Sequence, residues 1–319
     1  MGPPDAFRLL RTVRLVAAVA LAAAAACGSG DGGRDRAGDR EAAPPPGVGV
    51  ASFDFAESRL VAEIYAQALE EQGVAVRREI GLGPRELVQP ALRQGFVDVV
   101  PEYLGSALRS VEPASAADPG APAEVRAALA AAVEPLGLRV LEPAPAQNQN
   151  GLAVTRRTAA RLDLAVTSDL RPVAAELTVG GPPECPARPY CLPGLGDAYG
   201  LRFAAFRPFA DQALVRQALR DGVIDVGVLF TTDGALAGGD LVLLDDDRGL
   251  QPVENLVPVV RAAVLDAPGG ERVAAALDAV SGRLTTANLR FLNWRVTVAG
   301  RDPAAEAHGW LARQGLVAR

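Results

Sequence analysis

The sequence contains no lysine, so all 32 of its basic residues are arginine. Set beside the abundant alanine, this absence reads as coding bias rather than function. There is one histidine, His308, and no GxSxG occurs, which leaves little material for a Ser-His-Asp or Cys-His arrangement. Three cysteines are too few for a disulfide-dense miniprotein, and one histidine is too few for a His-built metal centre. No basic run occurs and the formal charge is −6, which argues against a nucleic-acid partner. No apolar run reaches the roughly 20 residues of a membrane-spanning helix. The Gly-Leu-Gly pairs ending at Pro84 and Asp197 lack the spacing of a phosphate-cradling loop, so no nucleotide cofactor is expected.

What remains is ordinary globular composition, 49% apolar and 22% charged over 319 residues, enough for about two domains. At the N-terminus, Arg8, Arg11 and Arg14 precede an apolar run from Leu15 to Ala26, followed by Cys27. A basic segment, a short apolar run and small residues describe an export signal over residues 1–26. Its removal takes away three arginines and one aspartate, leaving a formal −8. Ala24-Ala25-Ala26-Cys27 resembles a lipobox, in which the cysteine is acylated, although Ala24 stands where a bulkier apolar residue is usual. Cleavage after one of the alanines, releasing a soluble protein, is the alternative. Residues 27–47 are nearly devoid of large apolar side chains and read as a tether.

Cys185 and Cys191, six apart in a proline-rich loop of an exported chain, are expected to pair. Closing so short a loop contributes about 2 kcal/mol in the chain-entropy view. The mature chain then alternates strands and helices. Strands are expected at Val48–Phe53, Val74–Ile80, Val97–Val100 and Leu138–Leu141, and helices at Glu57–Gln72, Glu86–Arg93 and Ala123–Leu136. The first helix carries Leu60, Val61, Ile64, Tyr65, Ala68 and Leu69 on one face, and Gly73 and Gly95 are helix stops. The pattern predicts α/β lobes with mainly parallel sheets, whose ligands bind beyond the carboxyl ends of the strands. Trp294 and Trp310 are expected as core anchors. Asp245, Asp246 and Asp247 are read as a loop rather than a cation site.

One internal repeat stands out. Val88–Val99 and Val215–Val226 agree at seven of twelve positions, offset by 127 residues. Each copy is a helix, a glycine stop and a buried strand, running into Tyr103 in the first copy and Phe230 in the second. Two similar lobes, each offering one aromatic across a cleft, follow from it.

Three stretches carry a resemblance: Val50-Ala-Ser-Phe-Asp-Phe-Ala-Glu57, Pro101-Glu-Tyr-Leu-Gly-Ser-Ala-Leu108 and Phe230-Thr-Thr-Asp-Gly234. With Tyr199-Gly-Leu201, Leu244-Asp-Asp-Asp247 and Pro258-Val-Val260, they resemble the osmoprotectant-binding proteins of ABC importers, from Val48 to the C-terminus. That resemblance implies a type II periplasmic-binding-protein fold without cofactor, capturing glycine betaine, choline, carnitine or a related amine for a permease. Lobe I would comprise 48–148 and 252–319, lobe II 149–251, with crossovers near Gln147–Asn150 and Gln251–Glu254. Such a protein would be exported, monomeric and held at the membrane face by a lipid on Cys27. A secreted two-lobed hydrolase or lyase, and a ligand-sensing lipoprotein, are the alternatives.

The family cages the quaternary ammonium with tyrosines and grips the ligand carboxylate with basic and hydroxyl groups. By resemblance, Tyr103 matches a cage tyrosine, Ser106 a carboxylate-binding hydroxyl and Arg188 the carboxylate-binding arginine. Asn150, Phe230 and Glu254 stand at three other cage positions, and Phe53 where some members carry a lysine. A cage so depleted leaves Glu254 as a direct counter-charge for a ligand cation.

Overall fold

The computed structural model describes residues 47–112 and 121–318, all within the unit Pro44–Arg319. The expected signal, Cys27 and all but the last residue of the tether lie outside the described residues. The chain runs through β1 (Val48–Phe53), α1 (Ala56–Glu71), β2 (Val76–Gly83), α2 (Arg85–Gln94), β3 (Val99–Tyr103), α3 (Leu104–Val111), α4 (Pro122–Val133) and β4 (Leu138–Val140). It then crosses to β5 (Asn150–Thr155), α5 (Arg156–Leu162), β6 (Thr178–Gly181), α6 (Leu192–Tyr199), β7 (Ala205–Pro208), α7 (Gln212–Arg220), β8 (Val226–Phe230) and β9 (Leu241–Leu244). It returns as β10 (Leu256–Arg261), α8 (Ala262–Leu265), α9 (Gly270–Ser281), α10 (Thr286–Asn293) and α11 (Pro303–Gln314).

Two five-stranded sheets result, ordered β2-β1-β3-β10-β4 and β7-β6-β8-β5-β9. Position for position they are the same sheet. β1 pairs parallel with β2 and β3, and β6 with β7 and β8. The fourth strand of each, β10 or β5, is antiparallel to both neighbours. The expectation of mainly parallel sheets therefore needs one amendment per lobe. Each antiparallel strand arrives from the other lobe at the carboxyl edge of the sheet, so it must run back against its neighbours.

The repeat acquires a mechanical reason. Gly95 and Gly222, 127 apart, both take a positive φ (82° and 69°) just after their helices, where a side chain would be strained. Asp98 and Asp225 then stitch each third strand to its parallel neighbour. The Asp98 carboxylate accepts the Gly49 N–H at 2.7 Å while its own N–H donates to the Gly49 carbonyl at 2.7 Å. Asp225 makes the same pair with Thr178, both at 2.9 Å. Two of the seven identical positions are thus the ones that terminate a helix and register a strand.

Both sheets are covered on both faces, which is why their strands read as apolar runs rather than alternating ones. In the first lobe, Val50, Val99 and Val260 pack under α1, α9, α10 and α11, where Leu60, Ile64, Leu277, Leu289 and Trp310 meet them. Ala51, Val100 and Val259, each next to one of these on its strand, face the opposite layer with Leu92, Leu104 and Leu129. In the second lobe, Val154, Val179 and Val228 pack with Leu195 and Tyr199, and Ala153 and Leu229 with Val215 and Leu219. The six residues nominated on the first helical face are all buried. Trp310 is a core residue, but Trp294 is only half-buried and stacks on the exposed Phe291, with ring centres 6.0 Å apart. The Trp294 reading as a core anchor is thereby corrected: its backbone, not its ring, does the packing described below.

Candidate ligand-binding cleft

The carboxyl ends of β1, β3 and β8 converge with the two crossover segments and the loop 182–191 on a cleft of about 920 Å³. All seven side chains nominated for ligand contact line it: Phe53, Tyr103, Ser106, Asn150, Arg188, Phe230 and Glu254. The crossovers pair with each other as a short ribbon. Gln147 bridges Asn255 antiparallel, Asn148 N–H donates to the Glu254 carbonyl at 3.0 Å, and Gln149 Nε2 to the Pro252 carbonyl at 2.9 Å.

One wall is a row of rings from the first lobe. Phe53 stacks on Phe55 with centres 5.9 Å apart, and Phe55 leans on Tyr103 at 6.2 Å. Phe53 and Tyr103 are buried, whereas Phe55 is 41% exposed. The Arg85 guanidinium stands 5.0 Å over the Phe53 ring and is held there by two hydrogen bonds to the buried Glu102, at 3.2 and 2.8 Å. Tyr103 donates its hydroxyl to Glu57 Oε1 at 2.6 Å. Burial, reinforced by the Glu57 charge, raises that hydroxyl well above the ordinary tyrosine value. Tyr103 thus presents ring surface to the cleft and keeps its polar end inside the protein.

Glu254 is engaged differently from the expectation. Its carboxylate accepts the Ser106 N–H and hydroxyl, both at 2.9 Å, and pairs with Arg109 Nη2 at 2.5 Å. Ser106 and Arg109 share one face of α3 because they lie three residues apart. The structure therefore gives Glu254 a protein cation and occupies the Ser106 hydroxyl, the two groups the resemblance aims at the ligand. The reason is tertiary: α3 begins where β3 meets the returning crossover, so its first turn looks straight at Glu254. Arg109 also lies 5.9 Å from the centre of the Tyr190 ring, reaching to the far side of the cleft.

The second lobe supplies the opposing wall. Cys185 and Cys191 form a disulfide with Cα atoms 5.2 Å apart, and both are buried. Arg188 stands between them with a side chain 68% exposed, 3.7 Å from Glu184, a loose surface pair worth little by itself. Asn150 and Phe230 are directly opposed across β5 and β8. Phe230 is 44% exposed, unlike its repeat counterpart Tyr103.

The Phe230-Thr-Thr-Asp-Gly234 stretch is where the lobes are tied together. Thr231 Oγ1 donates to the Gln147 carbonyl at 2.8 Å and accepts the Gln149 N–H at 3.0 Å. The Thr231 carbonyl takes two Arg290 donors, and the Thr232 carbonyl takes Asn293 Nδ2 at 2.9 Å. Desolvation lowers the Arg290 pKa from its ordinary value. Asp233 pairs with Arg216 at 2.7 Å. At Gly234 a Cβ would stand 2.4 Å from the Trp294 nitrogen, so only glycine permits this approach.

The Asp245–Asp247 run is structural. Asp246 accepts the Tyr199 hydroxyl and the N–H groups of Leu250 and Gln251, while Asp247 accepts the Ser168 N–H at 3.1 Å. Desolvation and the Asp246 partner raise the Tyr199 hydroxyl above its ordinary pKa. Among the described residues no cluster of three His, Cys, Asp or Glu suited to a metal ion occurs. His308 is exposed on α11 and does not line the cleft.

Sequence reasoning passed over Phe55, Arg85, Arg109, Tyr190 and Phe209, all of which line the cleft. Two signals were available. Phe55 shares the quoted motif with Phe53, and Tyr190 sits inside the cysteine loop beside Arg188.

Two αβ lobes joined by a paired crossover, with one cleft between them, define a two-lobed solute-binding protein. Residues 46–313 match the family described as the substrate-binding domain of ABC-type glycine betaine transport systems, and the chain belongs to that family. It is 30% identical to the glycine-betaine-binding protein of Pseudomonas aeruginosa, over 82% of this chain and 86% of that protein. It is 29% identical to the glycine betaine-binding protein YehZ of Escherichia coli, over 86% and 92%. The solved structure of apo YehZ superposes with a TM-score of 0.75 at 27% identity, covering 85% of this chain and 99% of that one. A crystal structure titled glycine betaine/carnitine/choline ABC transporter gives a TM-score of 0.77 at 22% identity, covering 84% and 99%, and shares the fold.

Proposed function

We propose that this protein captures a small quaternary-amine or zwitterionic osmolyte, of the glycine betaine, choline or carnitine kind, and delivers it to its permease without chemical turnover. The observation that carries the reading is one cleft faced by exposed aromatic rings from both lobes, Phe55 and Phe230, with Arg188 at its rim. Rings attract a desolvated organic cation, and a guanidinium matches a carboxylate. In this reading lobe I is 48–148 with 252–319, lobe II is 149–251, and capture closes them about the crossover ribbon. Tyr103, Phe53 and Asn150 shape the wall, while Ser106 and Glu254 act through Arg109. The receptor works as a monomer outside the cytoplasm.

A thermal-shift screen over betaines, choline, carnitine, thiol betaines of the ergothioneine type and polyamines tests this. A ligand at about 100 times its Kd adds about 2.7 kcal/mol, a rise of roughly 5–10 °C. A melting temperature unmoved by every member refutes the reading. The basic and apolar run of residues 1–26, read as an export signal with Cys27 directly after it, supports an acylated, membrane-held receptor. A Cys27→Ala precursor should then move from the detergent to the aqueous phase on partitioning, and unchanged partitioning refutes acylation.

A further inference from the structure

We infer that Asp54, not Glu254, supplies the counter-charge for the ligand's cationic end, with Phe55 beside it and Phe230 facing it from the other lobe. The inference rests on the proposal that the cleft takes a small organic cation or zwitterion. Four carboxylates line the cleft: Asp54, Glu184, Asp211 and Glu254. Glu254 is consumed by Arg109 and Ser106. Glu184 faces Arg188 at 3.7 Å. Asp211 caps α7, accepting the Leu214 N–H at 2.9 Å, where the positive end of the helix matches it. Asp54 alone of the four has no hydrogen bond or ion pair among the described residues, and it is exposed.

The cations close the account. Three arginines line the cleft, and each already faces a carboxylate: Arg85 with Glu102, Arg109 with Glu254, Arg188 with Glu184. Two cleft carboxylates face no arginine, Asp211 and Asp54; Asp211 is held by the α7 N-terminus, and Asp54, which has no partner among the described residues, stands between two aromatic residues in sequence. The rings follow the same logic. Of the six rings that line the cleft, Arg85 covers Phe53, Tyr103 is only 6% exposed, and Tyr190 and Phe209 are half-buried, so Phe55 and Phe230, at 41% and 44%, offer a cation the most ring surface. A carboxylate flanked by ring faces holds a cation by charge and by quadrupole, and each attraction strengthens as closure excludes water. Arg188 can leave its loose partner for a ligand carboxylate, so the cleft accepts a cation with or without one.

Calorimetric titration with choline and with glycine betaine tests the inference. Asp54→Asn should weaken both by about 10-fold or more, and choline affinity should fall less steeply with added KCl than in the wild type. Glu134→Gln, which removes an exposed charge outside the cleft, should bind both as the wild type does. Wild-type affinity for choline in Asp54→Asn, or an equal loss in Glu134→Gln, overturns the inference and leaves the osmolyte reading standing. A wild-type protein that binds neither probe overturns the inference, and the osmolyte reading falls with it only when every other member of the thermal-shift screen fails as well.

Discussion

Replacing Glu57 with alanine should lower the stability of the protein by about 3–5 kcal/mol, at about 1–3 kcal/mol for each buried donor that loses its acceptor. The Glu57 carboxylate is buried and receives three donors: the Tyr103 hydroxyl at 2.6 Å, Asn148 Nδ2 at 2.8 Å and Asn293 Nδ2 at 2.5 Å. Those donors come from β3, the first crossover and α10, so one side chain pins the end of a strand, the crossover and the C-terminal helices. It also lies in the first turn of α1, where the helix dipole favours an acid. Alanine leaves the Tyr103 hydroxyl and Asn148 Nδ2 without this acceptor next to the cleft, and Asn293 Nδ2 with only its bond to the Thr232 carbonyl. Thermal unfolding should show a fall of roughly 8–12 °C at neutral pH. A loss below about 1 kcal/mol would mean that water satisfies the donors as well as the carboxylate does.

Arg188→Ala should cost glycine betaine about 2–3 kcal/mol, a 30- to 150-fold loss of affinity, and leave choline nearly untouched. The difference isolates the ligand carboxylate, which choline lacks. Arg188 is exposed, so its removal carries no folding penalty that would blur the measurement. The disulfide pins the loop on both sides of Arg188 and lowers the ordering cost when the guanidinium engages. Calorimetry with both ligands on the same variant reads it directly. Equal losses for both, or none for glycine betaine, would end the carboxylate-clamp assignment.

These two residues mark where sequence reading works and where it stops. That Arg188 lines the cleft could be anticipated because its setting is local, three residues from each cysteine in a short loop. Glu57 sits in a recognised motif, yet its partners lie 46, 91 and 236 residues away, and nothing in spacing announces them. Glu254 shows the same limit more sharply. As a sequence position it is an acid at a cage site, open to a ligand cation. In the fold it meets Arg109, 145 residues earlier, and is neutralised before any ligand arrives.

What the sequence alone determined were the properties set by local chemistry: strand and helix alternation, the glycine stops, the cysteine pair and two lobes from a repeat offset by 127. Hydrophobic periodicity and backbone φ preferences act over a few residues, so they are written in order along the chain. Only the tertiary structure decided which charges cancel and which stay open. Ion pairing depends on distance in space, and a carboxylate's partner is chosen by whichever helix the fold brings to face it. That choice set Glu254 against Arg109 and Glu102 against Arg85, and left Asp54, between two phenylalanines in sequence, lining the cleft with no partner among the described residues.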